Sequence, residues 1–298
     1  MNTLEKHPMI LIVIGIMGIS LSSILVKYAQ SPSVVTATYR LLWTVFLMTP
    51  AVICSSKRRQ ELLSIDRRTI FLCILSGIFL ALHFTIWFES LNHTSVASST
   101  TIVCTEVIWV ALGWRLFLKG QLTKKAGIAI AVTLSGSVLI ALSDSSGSGS
   151  HLYGDILALL AAIAVAVYTL IGRIVRATVS TTVYTYLVYT ACAITLVTMT
   201  FAQNLTLTGY GFGSIFVGLL LAVFSTILGH SIFSWCLKFL SPAFVSASKL
   251  CEPAVAAVFA AFLFHEIPKP LQILGGLVII VGVIYYSRIE NQTAGNDA

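Results

Sequence analysis

Ten long apolar stretches follow one another along this chain, and that succession limits its possible folds more than any motif does. A bilayer core is crossed by roughly 20 consecutive, mostly apolar helical residues. The stretches run near Met9–Ala29, Val34–Cys54, Ile70–Leu91, Ser95–Leu118 and Thr123–Leu142, then Tyr153–Ile174, Thr182–Gln203, Phe212–Leu237, Ala243–Phe264 and Leu271–Arg288. The expected fold class is an all-α integral membrane protein with ten transmembrane helices. Taken alone, the first stretch could pass for a signal peptide behind Lys6. The nine spans behind it make it a first transmembrane helix.

Composition agrees. Of 298 residues, 57% are hydrophobic and 10% are charged, against roughly 25% charged in a soluble domain. That excludes a soluble domain, a disordered chain, a disulfide-stapled secreted domain and a nucleic-acid binder, although 18 Lys+Arg stand against 11 Asp+Glu. The positive charges are informative by position, because Lys- and Arg-rich short loops stay on the cytoplasmic side. With the N-terminus inside, that side collects fourteen of them, including Lys57, Arg58, Arg59, Arg67, Arg68, Lys124 and Lys125, while the outer side receives Lys27 and Lys269. The expected location is the cytoplasmic membrane, multi-pass, with both termini cytoplasmic.

The chain also repeats itself. A shift of 146 residues places Lys27 on Arg173, Thr36 on Thr182, Thr100 on Ser246 and Glu106 on Glu252. Each half holds five spans, an odd number, so the second half enters the membrane in the opposite sense. The halves are residues 9–142 and 153–288, joined by a Ser/Gly-rich linker over 143–152, a composition suited to flexibility. Inverted repeats recur in transporters, with the substrate site near the midplane where the repeats meet.

Particular residues sharpen this. The passage Leu91-Asn92-His93-Thr94-Ser95-Val96-Ala97, then Glu106, then Leu118-Lys119-Gly120-Gln121 resembles an EamA-type repeat. So does Ser241-Pro242-Ala243, then Lys249-Leu250-Cys251-Glu252-Pro253, then His265-Glu266. The chain thus resembles the EamA-type transporters of the drug/metabolite transporter superfamily across nearly its whole length. The resemblance implies ten helices in two inverted repeats and a central cavity lined by the first, third, fourth, sixth, eighth and ninth helices. It also implies movement of small organic metabolites, often outward and often linked to protons. The first copy departs from the pattern: Val107 follows Glu106 where the second copy has Pro253, and Gln121 replaces an acid.

Charges inside membrane helices cost about 2.5–3.5 kcal/mol at the centre, which makes each one a functional candidate. Glu106 lies roughly 16 Å into the fourth span at 1.5 Å per residue, and Glu252 reaches a similar depth in the ninth. A carboxyl that gains or loses a proton as a cavity opens is the chemistry of a proton-coupled carrier. The bland alternative is a structural carboxyl, and Lys249, at i and i+3 from Glu252, offers it a neighbouring cation. Pro253 removes one helical donor and frees the carbonyl of Lys249, so Lys249–Pro253 is a binding segment or a hinge. Arg40 and Glu89 lie toward the outer face, and Arg40 either binds an anion or snorkels to headgroups. His83 and His230 are relay candidates, with buried packing histidines as the alternative. Ser98, Thr101, Thr105 and Trp109 share one helical face at 3–4–4 spacing, suited either to a polar solute or to helix packing. Trp87 and Trp235 either complete an aromatic wall or form an interfacial belt.

No P-loop, zinc-protease helix or nucleophile elbow is present, and the six cysteines form no CxxC pair. No cofactor, metal or catalytic residue is therefore expected. The expected partners are a small-molecule substrate, the lipid bilayer and protons, with no nucleic acid. The reading is a secondary active transporter that moves a small organic metabolite, amino-acid-like and outward, by alternating access. Its alternatives are an uncoupled facilitator, exchanger or channel, and an intramembrane enzyme using Glu106 and Glu252 as paired acids.

Overall fold

A computed structural model describes residues 8–94, 96–144, 152–264 and 269–296. The linker core, residues 145–151, lies outside the described residues, as do Lys6, Ser95, His265 and Glu266. The described chain is helical in the order α1 (Pro8–Ser20), α2 (Ser22–Lys27), α3 (Ser33–Ile53), α4 (Ser56–Ser64), α5 (Arg67–His93), α6 (Val96–Val103), α7 (Glu106–Phe117), α8 (Lys124–Asp144), α9 (Leu152–Val175), α10 (Thr181–Ala202) and α11 (Gly211–Leu220). A π-helical segment, Leu221–His230, runs on into α12 (Ser231–Cys236). Then come α13 (Pro242–Ser248), a 3-10 turn (Lys249–Cys251), α14 (Glu252–Phe264) and α15 (Pro270–Asn296).

Local chemistry sets the helix starts. Side-chain oxygens of Ser55, Asp66, Ser180 and Ser241 accept backbone N–H groups in the first turns of α4, α5, α10 and α13, which satisfies donors a helix leaves free at its N-terminus. The Asp66 carboxyl, in the connection before α5, is held below its ordinary range by the hydroxyl and N–H of Thr69.

Among the described residues, seven helical stretches are long and apolar enough to cross a membrane: Met9–Lys27, Arg67–His93, Ser98–Phe117, Leu152–Val175, Thr181–Ala202, Gly211–Cys236 and Pro270–Glu290. The count becomes 8 if α3 and α4, bent by 105° from one another, form one span. These are fewer than the ten spans expected from sequence, and the difference lies in how three of the stretches are built. The ninth is divided into pieces of 7, 3 and 13 residues. The second and fifth coincide with the 21-residue helices α3 and α8.

Two clusters of buried apolar residues hold the bundle. One joins α3, α5, α9 and α10 through Leu41, Leu80, Phe84, Phe88, Val188 and Leu196, among others. The other joins α1, α7, α8, α12, α13 and the C-terminal helix through Ile16, Val107, Phe244, Leu250 and Tyr286. Small residues let backbones meet, as is common between membrane helices. A Cβ on Gly136 would lie 2.7 Å from the Gly275 carbonyl oxygen, and one on Gly275 would lie 2.6 Å from that of Gly136. That reciprocal contact sets the approach of α8 to α15.

Candidate functional site

The two glutamates brought together by the 146-residue shift each begin a helix, immediately after a break. In the first half α6 stops at Val103 and α7 starts at Glu106. Thr105 closes the gap, its backbone N–H reaching the Ile102 carbonyl at 3.0 Å and its hydroxyl donating to the same oxygen at 2.6 Å. In the second half α13 stops at Ser248, the 3-10 turn intervenes, and α14 starts at Glu252. Pro253 accounts for this second break, since it has no N–H to give the Lys249 carbonyl. That oxygen instead takes the Glu252 N–H and, across the molecule, the Cys104 thiol at 3.7 Å. The break in the first half forms without any proline.

The breaks meet around a cavity lined by Ser22, Arg40, His83, Trp87, Glu106, His230, Lys249 and Glu252, with Ile19, Val103, Cys104 and Val165 as its apolar walls. These residues come from the first six expected spans except the fifth, and from the eighth and ninth. The cavity volume is about 30 Å³, room for about two waters.

Lys249 Nζ donates to Glu106 Oε1 at 2.8 Å, with both side chains buried. The local i, i+3 partner, Glu252, is not the one chosen. Glu252 is buried, at 6% exposure, and its carboxyl has no hydrogen bond or ion pair among the described residues. Lys249 also sits 5.4 Å from the centre of the Phe233 ring, a distance within the range for cation–π attraction.

For Arg40 the structure removes one of the two alternatives, that of snorkelling to headgroups. Arg40 is fully buried rather than turned to the outer headgroups. Its Nε donates to Thr226 Oγ1 at 2.7 Å, its Nη1 to Ser22 Oγ at 3.2 Å, and its plane lies 4.0 Å over the Phe84 ring. Thr226 belongs to the π-helical segment, a geometry frequent at functional sites. His83 Nδ1 donates to the Ala161 carbonyl at 3.0 Å, which fixes its tautomer, and its ring stacks on Trp87 at 5.9 Å.

Other candidates lie elsewhere. Ser98 donates to Asp155, Thr101 to the Ser137 carbonyl and Thr105 to Ile102. Their hydroxyls are thus engaged in holding helices, and Trp109 packs against the first apolar cluster. Trp235 packs at a tilt against Phe239, with ring centres 4.5 Å apart, and does not line the cavity. Glu89 accepts from Ser33 at 2.8 Å and pairs with His93 at 3.1 Å at a helix end. Pro253 shapes the break without lining the cavity. Ser22, Cys104 and Thr226 were passed over in the sequence. Their signal was a polar group within an apolar run, weak because hydroxyls in membrane helices so often serve packing. Among the described residues no group of His, Cys, Asp and Glu could hold a metal ion.

Comparison with known proteins bears on this arrangement. The model of the EamA-like transporter family matches residues 7–142 and 152–288. An "Uncharacterized transporter" of Archaeoglobus fulgidus is 24% identical over 224 residues, covering 73% of this chain and 75% of the relative. "Uncharacterized transporter YwfM" of Bacillus subtilis is 26% identical over 221 residues, covering 72% of this chain and 73% of the relative. A solved structure described as "Crystal structure of protein" superposes with a TM-score of 0.79 over 96% of this chain and 99% of its own, at 11% identity. That likeness concerns the fold alone.

Proposed function

Because the chain belongs to the EamA-like transporter family, a family of membrane transporters rather than enzymes, we propose that it is a secondary active transporter of a small organic metabolite. The solute binds between the two halves, 9–142 and 153–288, and crosses by alternating access, outward from the cytoplasm. In this reading the chain crosses the cytoplasmic membrane ten times, with α6–α7 and α13–α14 as two broken crossings and both termini inside. The observation that carries it is the meeting of the two breaks at one cavity, with Glu106, Lys249 and Glu252 within it. Backbone interrupted at membrane depth is tolerated where it is buried in protein or lines a cavity, and broken helices frame the solute sites of many carriers.

The cavity holds about two waters, so an amino-acid-sized solute enters only when its walls part. Two similar halves offer two packings of similar energy, one open to each side. The Lys249–Glu106 pair crosses the boundary between the halves and neutralises one carboxyl. Glu252 is left to carry a proton in one packing and release it in the other.

Counterflow in sealed proteoliposomes tests the carrier itself. Vesicles loaded with pooled unlabelled amino acids and small metabolites should accumulate labelled members of the pool transiently and saturably. Uptake that rises linearly with concentration, with no stimulation from the far side, would mean a channel.

A further inference from the structure

The cavity lining carries unused hydrogen-bonding capacity among the described residues, whereas buried polar atoms in folded proteins are overwhelmingly paired. Arg40 Nη2, Trp87 Nε1 and His230 Nδ1 are each buried without a partner. All three residues line the same cavity, at 0%, 4% and 8% exposure. Two of these atoms are obligate donors, and one of them belongs to a cation. The third belongs to an imidazole, which can donate as well as accept.

Arg40 is held as a binding group would be. Thr226 takes its Nε, Ser22 takes one Nη, and Phe84 covers its plane. Only the outer edge of the fork remains, and no carboxylate lies within ion-pair distance of it among the described residues. The other cation of the cavity, Lys249, is already committed to Glu106. A guanidinium with a free Nη2 and an indole N–H lining the same cavity suit a planar oxyanion, for which arginine is the preferred partner.

We infer that Arg40 and Trp87 form an oxyanion subsite, which binds the carboxylate end of the transported solute, with the His230 ring beside it. The inference rests on the cavity being the solute site and adds which chemical end of the solute is recognised, and by what. Glu252 lies in the same cavity and acts on the remainder of the solute. An ammonium group there would pair with it, and the subsite at Arg40 would be engaged either way.

The test uses the full chain in lipid nanodiscs at pH 7, with 15N-labelled tryptophan indoles followed by NMR. The probes are acetate and glycine, against acetamide and glycinamide, which keep the shape and lose the carboxylate. The Trp87→Phe variant identifies the Trp87 signal. A saturable downfield shift of that signal with at least one carboxylate, absent with its amide twin, is the expected result. Arg40→Lys should weaken that response by about tenfold or more, because a charge-assisted, forked contact is lost. Should Arg40→Lys fail to fold, Thr226→Val leaves the guanidinium in place but unfixed, and a weakening of severalfold is expected. No saturable shift with either carboxylate, or an equal shift with the amides, would overturn the subsite. Counterflow that amides inhibit as well as carboxylates would overturn it too, while leaving the carrier intact. A carboxylate-specific shift without any counterflow would uphold the subsite and remove the carrier reading.

Discussion

Lys249 and Glu106 are 143 residues apart in sequence and 2.8 Å apart in space, nitrogen to oxygen, each at the edge of a helix break. The contact links the two repeats through one buried ion pair. It also makes the repeats unequal, since the position matching Lys249 in the first half is Val103. Of two symmetry-related carboxyls, one is neutralised and one is not.

Removing one partner of a buried pair strands the other charge, at a cost of about 3–5 kcal/mol. Lys249→Met should therefore destabilise the purified protein by that order. The double change Lys249→Met with Glu106→Gln should recover most of the loss. Thermal unfolding in one detergent measures both. Equal losses in the single and double variants would mean that the pair contributes no coupling.

Pro253 maintains the second break by withholding a donor from Lys249. Pro253→Ala restores that donor, and a proline in the first turn of a helix, as Pro253 is in α14, costs that helix little. The expected outcome is a protein at least as stable that exchanges solute about tenfold more slowly, because a straightened helix resists the change of packing. Counterflow rates beside unfolding temperatures decide it. Unchanged exchange would make the proline a packing kink.

Gly136 and Gly275 each approach the other's carbonyl too closely for a methyl group. Gly275→Ala should force α8 from α15 and cost about 1–3 kcal/mol, the usual penalty of overpacking. Solute preference should not change, since neither residue lines the cavity. A shift in preference with normal stability would mean that this helix pair shapes the site.

Asp66 caps α5 from outside the expected spans, and its folded pKa is depressed by the Thr69 contacts. A depressed acid stabilises above its unfolded pKa, about 3.9, and that contribution is lost as pH falls through the lower, folded value. Hydrogen exchange at the first amides of α5 should therefore speed up relative to the rest of the helix below about pH 4. The Asp66→Asn variant should show no such pH dependence. The same acid-induced fraying in that variant would place the cause elsewhere.

The membrane class, the two copies of the repeat and the pairing of both glutamates by a constant shift were legible in the sequence. These depend on composition, on period and on a constant shift, none of which needs tertiary contacts. Partner choice was beyond it. Helical spacing puts Lys249 beside Glu252, but the break between them turns the ammonium toward Glu106 instead. The face shared by Ser98, Thr101, Thr105 and Trp109 fails for a related reason. The spacing argument assumes one continuous helix, and the chain breaks at Cys104–Thr105. Position along its own span leaves Arg40 open to either headgroups or an anion. Its burial depends on Ser22, Phe84 and Thr226, which come from three other parts of the chain.

The measurement that bears hardest on the account is solute-driven proton flux in sealed proteoliposomes with a pH dye inside. The wild type should show a saturable flux with a solute that supports counterflow. Glu252→Gln should abolish that flux, whereas Glu106→Gln combined with Lys249→Met should retain it. Flux unchanged in Glu252→Gln, or lost only in the double variant, would contradict the assignment of the exchangeable proton to the unpaired carboxyl.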